Sequence, residues 1–155
     1  MQLPVTFLVA LASALTVTAT PVTNAKRACQ TTVPRGPIPR TIAVSKRASP
    51  PSSSPATVSF SVPGGVVGPC SLVASLPAGY PISTSGNPQL NFIALDGPAT
   101  GSIVGTATLA AGEFRTINSF SCRPSMGFRL EIAGVEGSVR FEQTEHAGLF
   151  LTYNC

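Results

Sequence analysis

From residue 57 to its end this chain alternates apolar with polar side chains, and that rhythm restricts it to strands. GFRLEIAG sets Phe128, Leu130 and Ile132 on one side, with Arg129 and Glu131 on the other. SVRFEQ repeats the scheme with Val139 and Phe141. Successive strand residues point to opposite faces, so a period of two marks a strand half buried against a core. VSFSV, SLVASL, QLNFIALD, GSIVGTATLA, EFRTINSF and GLFLTYNC read in the same way. In GSIVGTATLA the expected inner face is Ile103, Gly105, Ala107 and Leu109. Turn signals such as VPGGVVGP and Asp96-Gly97-Pro98 separate the runs, and no useful helical period follows residue 20. The expectation is an all-β fold: an antiparallel β-sandwich of about eight short strands over residues 58–155. A core of that size is modest, so disulfides would support it.

The N-terminal third reads differently. MQLPVTFLVALASALTVTAT holds an apolar run from Leu3 to Val17, followed by the small residues Val17-Thr18-Ala19. This is the pattern of a secretory signal peptide over residues 1–19, cut after Ala19, although no basic residue precedes the run. The run is short for a membrane span, and no later stretch is apolar and long enough for one. Residues 20–47 show no hydrophobic period and carry two dibasic pairs, Lys26-Arg27 and Lys46-Arg47. They read as a propeptide-like segment, cleaved after Arg27, Arg47 or both by a kexin-type protease reaching disordered backbone, with residues 28–47 kept attached if Cys29 is bonded to Cys155. Residues 48–57, ASPPSSSPAT, read as an extended Ser/Pro linker open to O-glycosylation. The expected location is extracellular.

Four cysteines, Cys29, Cys70, Cys122 and Cys155, allow three pairings. Their spacing contains no CxxC pair and His146 is the single histidine, so a metal site is not expected. If the strands alternate in direction, Cys70 and Cys122 fall at one end of the sandwich and Cys155 at the other. This favours Cys70–Cys122 and leaves Cys29 for Cys155. Were Cys155 unpaired, a disulfide-linked dimer would replace the monomer.

The formal charge of +4 is unevenly placed. Residues 48–155 hold four arginines against six carboxylates, a net −2, so the expected domain lacks the basic surface that nucleic acid requires. Neither nucleic acid nor, after signal removal, a membrane is an expected partner. Glu131 and Glu142 could act as a carboxylate pair. Outward positions beside Arg129 and Arg140 fit charge pairs across a hairpin more simply. His146 reads as an exposed turn residue. No nucleophile–base motif, phosphate loop or metal motif is present, so no enzyme activity and no cofactor are expected. Tyr80 in PAGYPIS and Arg123 after Cys122 are the candidate contact residues. Tyr80 could equally be a loop staple.

CSLVASLPAGYPISTSGNPQLNFIALDG, SFSCRPSMGFRLEI and GLFLTYNC together resemble small secreted fungal proteins. They are similar to the But-type (ubiquitin-like-protein-binding) C-terminal domain group, or to hypersensitive-response-inducing elicitors. The resemblance covers roughly residues 56–155 and carries no catalytic signature. It implies a fungal origin, a β-sandwich and a non-enzymatic interaction protein acting in a cell wall or host apoplast. A carbohydrate-binding or wall-structural module is the alternative expectation, motivated by Tyr80 and the polar loop ISTSGN.

Overall fold

A computed structural model describes residues 28–155. Ala19 and Lys26-Arg27 therefore lie outside the described residues. Twelve strands, numbered in chain order, form three four-stranded antiparallel sheets. The first has the order β1 (Gln30–Thr32), β12 (Gly148–Tyr153), β5 (Pro69–Leu76), β9 (Glu113–Ser121). The second runs β4 (Ala56–Ser61), β10 (Ser125–Ile132), β7 (Leu90–Ala94), β8 (Ile103–Ala107). The third runs β3 (Ser52–Ser54), β2 (Arg40–Arg47), β11 (Gly137–Gln143), β6 (Ile82–Gly86). All eight strands read from the alternation are present, and β1, β2, β3 and β6 are additional. The fold is all-β and sandwich-like, with three sheets around one core.

The core follows from the period of two. Phe128, Leu130 and Ile132 of β10 are buried while Arg129 between them is exposed. Val58 and Phe60 enter from β4, Leu72 and Leu76 from β5, Leu149 and Leu151 from β12. Phe60 meets Phe128 edge-on at 6.2 Å between ring centroids, and Phe120 lies tilted on Phe128 at 5.4 Å. Phe60 and Phe128 are buried, and each contributes roughly 1.5–3 kcal/mol over its exposed state. The β11–β12 turn closes around Gln143, which is fully buried. Its Oε1 accepts from the Leu149 N–H at 2.7 Å, and its Nε2 donates to the Thr144 carbonyl at 3.0 Å. A buried amide with both ends satisfied fixes the turn at little cost.

β8 departs from the simple alternation. Gly105 pairs with Phe92 but Ile103 pairs with Ile93, so Val104 is an extra residue, a β-bulge. The bulge rotates the strand: Val104 packs on the core and Ile103 is 58% exposed, while Ala107 and Leu109 stay inside.

The larger correction concerns residues 28–57. In the uncut chain they form β1, β2, β3 and the start of β4, so residues 48–57 are not a disordered linker. In β2, Ile42 and Val44 are buried in the core, and the strand pairs with β11 from Arg40↔Gln143 to Lys46↔Gly137. The serines expected in the linker form β3, which turns back on β2 with Arg47 opposite Ser52. In Thr41-Ile42-Ala43-Val44-Ser45 only Ile42 and Val44 turn inward, but Ala43 between them blurs the alternation, and arginines and prolines flank the stretch. Lys46-Arg47 ends β2, paired with β3 on one side, with Lys46 also paired with β11 on the other, and the Arg47–Ala48 bond opens the turn 48–51. A protease must draw several residues into its own extended site, which here requires opening the sheet.

Two measurements check this placement. Ile42→Ala should destabilise the protein by about 2–4 kcal/mol, the cost of emptying a packed site, read from denaturant unfolding. A dibasic-specific protease should leave the Arg47–Ala48 bond intact in the folded protein and cut it after denaturation. A propeptide outside the fold would give no stability loss and rapid native cleavage.

Candidate functional site

Both disulfides lie at one end of the first sheet. Cys70 enters β5 where β9 ends, with Pro69 opposite Ser121, and is bonded to Cys122 at 5.0 Å between Cα atoms. Cys29 precedes β1 and Cys155 follows β12, whose residues Gln30 and Tyr153 are partners; these cysteines form the second bridge. No cysteine is free. The pairing is the one the strand count favoured, yet the ends differ. Ser71 at the start of β5 pairs with Thr152 at the end of β12, so Cys155 lies at the same end as Cys70. Counting misses β6, and β10, β11 and β12 belong to three different sheets. Direction within one sheet therefore does not follow chain order.

Between the bridges runs the loop 62–68, VPGGVVG. The Val62 N–H donates to the Pro124 carbonyl at 3.0 Å, and the Val67 N–H donates to Asn154 Oδ1 at 3.1 Å. Asn154 Nδ2 donates in turn to Gln30 Oε1 at 3.1 Å. The loop is thus tied to the flanks of both bridges, while the Val67 side chain stands 74% exposed. Depressions open on either side of it: one of about 440 Å³ against Phe120 and Cys122, another of about 380 Å³ against Ala28, Gln30 and Asn154.

A third cleft, about 200 Å³ and largely apolar, lies beyond Phe120 among Ala94, Pro98, Met126 and Phe128. Arg123 stands at its lip. Its Nη2 is 2.7 Å from Asp96 Oδ1 and donates to the Asp96 carbonyl at 3.1 Å. Asp96 Oδ2 accepts the Gly127 N–H at 2.8 Å. The guanidinium occupies the place where a side chain at position 97 would begin, and Gly97 has φ +76°. Only glycine meets both conditions. Arg123 is therefore spent on holding the 96–101 turn. The pair is about a third exposed, so it contributes at most about 1 kcal/mol.

The other candidates are also accounted for internally. The Tyr80 hydroxyl donates to the Glu142 carbonyl at 2.7 Å and its ring packs on the core, which makes it a loop staple. Glu131 and Glu142 stand in different sheets. Glu131 pairs with Arg129 of its own strand at 2.9 Å, not across a hairpin. His146 is exposed in the β11–β12 turn, where Thr144 Oγ1 accepts its N–H at 3.2 Å. Among the described residues no three His, Cys, Asp or Glu side chains converge as a metal site. Sequence reasoning did not single out the 62–68 loop as a surface. Its signal was present in two glycines framing consecutive valines, with Gly65 and Gly68 at positive φ. Comparison of the chain with protein-family models, curated proteins and solved structures finds no match.

Tyr80→Phe should cost about 1 kcal/mol of stability, one hydrogen bond, and leave surface binding unchanged. Arg123→Met should cost no more than about 1 kcal/mol. Denaturant midpoints check both. An unreduced digest should join Cys29 to Cys155 and Cys70 to Cys122; a Cys70–Cys155 peptide would overturn the arrangement.

Proposed function

We propose that the protein is a small secreted, non-enzymatic interaction module of fungal type, acting at a cell wall or in a host apoplast as an elicitor or effector. The observation that carries this reading is the pair of disulfides, with sequence separations of 126 and 52 residues. Such bridges persist in oxidising compartments and stabilise small domains there. The apolar leader and the resemblance to secreted fungal proteins agree with it, and no helix of the described residues is long and apolar enough to cross a membrane. The contact surface is the disulfide end, where a rigid frame presents Val67 between two depressions. An exposed apolar residue on a loop held at both ends loses little entropy on binding.

Purified oxidised protein infiltrated into leaf tissue should provoke a response, and Val67→Asp should abolish it. That substitution should change stability by no more than about 0.5 kcal/mol, since the side chain is exposed. A leaf that ignores the oxidised protein, with no host surface component retained on it, would remove the proposal. A carbohydrate-binding or wall-structural module is the second reading, favoured by the polar strand β6, whose Ser83, Thr84 and Ser85 are exposed.

A further inference from the structure

The outer face of the third sheet carries a row of serines that no single segment contains. Ser54 of β3 pairs with Ser45 of β2, Ser45 with Ser138 of β11, and Ser138 with Ser85 of β6. Their chain neighbours Val44 and Val139 are buried, so these four serines point away from the core. Strands lie roughly 4.8 Å apart, so the row spans roughly 14 Å with a hydroxyl at each step. Ser85 and Ser138 are already 2.7 Å apart, oxygen to oxygen. One step along, Arg140 stands between Ala43 and Ser83.

At one end the face dips into a groove of about 240 Å³ lined by Ser45, Lys46, Arg47, Ser85, Glu136 and Ser138. Gly86 and Gly137 are paired beside it, and a side chain at Gly137 would run into the Asn87 backbone. Among the described residues, the ion pairs are Arg115–Glu113, Arg123–Asp96 and Arg129–Glu131. Lys46, Arg47 and Arg140 take no part in them. By the same alternation Arg47 and Arg140 share the face of the serines, while Lys46, two residues from buried Val44, belongs to the other face and lines the groove at the end of the sheet.

We propose that this face, from the serine row to the Lys46-Arg47 groove, binds an acidic oligosaccharide, one whose sugar units carry carboxylates. Ring hydroxyls suit the serine row, because serine can donate to one and accept from the next. Glu136 accepts from a further hydroxyl. The guanidinium of Arg47 matches a carboxylate in two parallel hydrogen bonds, and Lys46 supplies a point charge beside it. A neutral glucan would satisfy the hydroxyls and leave the cations unused. A nucleic acid or heavily sulfated polymer would satisfy the cations, but its phosphate or sulfate oxygens only accept, which leaves the serine oxygens without donors. The dibasic pair is on this account a ligand contact, in keeping with its place at the end of β2 beside the groove.

The inference rests on the extracellular reading for its choice of ligand, but its test uses only the purified, uncut chain. Calorimetric titration compares a polyuronate oligomer, a neutral glucan oligomer of equal length and dextran sulfate. The polyuronate should bind best, and more weakly as salt rises. Replacing Lys46 and Arg47 together by Gln should weaken it roughly tenfold or more, the weight of a charge-assisted contact. Ser138→Val, which suits a strand but removes the central hydroxyl, should weaken it about fivefold. Unchanged unfolding midpoints show that the variants fold. Equal binding of neutral glucan, equal binding of dextran sulfate with no effect of Ser138→Val, or no binding at all would each overturn the inference. A leaf response that persists without polyuronate binding removes only this inference, whereas polyuronate binding without a leaf response removes only the proposed elicitor role.

Discussion

The fold depends on pairing strands that are far apart in the chain. Of its nine ladders, only β2–β3 and β7–β8 join consecutive strands. The rest close long loops before any side chain is buried, and the entropy of those closures opposes folding. The disulfides act against that term. Cys29–Cys155 joins the flanks of β1 and β12, an edge pair in which β1 has only three residues. Three residues of ladder would hold such a strand weakly. A covalent closure across 126 positions restricts the unfolded chain far more than it alters the folded one. Cys70–Cys122 does the same for β5 and β9.

Non-locality also decides what could be read from the sequence. Alternation reports burial on one face, so the eight strands with repeated apolar residues were legible. β3 is three serines and β6 is ISTSG. Neither holds a run of apolar residues, and they are strands because β2 and β11 supply hydrogen-bond partners. β2 was legible in principle through Ile42 and Val44, but the prolines and arginines around it suggested an open segment. Which sheet each strand joins was not legible at all. Consecutive strands β10, β11 and β12 look like a meander and enter three sheets. The cysteine pairing emerged correctly from a count whose geometry was not, because β5–β9 and β1–β12 are direct neighbours.

For the site, residue type was a poor guide and register a better one. Tyr80 and Arg123 have the chemistry of contact residues, yet each makes its strongest polar bond inside the molecule. A long polar side chain on a small domain is often the cheapest way to tie a loop down. The serine row shows the reverse. Four unremarkable residues from positions 45, 54, 85 and 138 become a surface once the ladders set them side by side. No window of sequence contains them, so no motif could announce them.

Including residues 28–47 in the fold also changes its electrostatics. Residues 28–155 hold eight basic and six acidic side chains, a net +2, where the part after Arg47 alone gave −2. The added cations sit at two places. Arg35 and Arg40 are bound into the β1–β2 connection, where Arg40 Nη1 donates to the Arg35 carbonyl at 2.8 Å. Lys46 and Arg47 face the groove. A cut after Arg47 would separate β2 from β3, yet β2 would stay paired with β11 over seven residues and joined to the chain through Cys29–Cys155. The paired strand that shields the bond from a protease is the same element that holds the cations against the serine row.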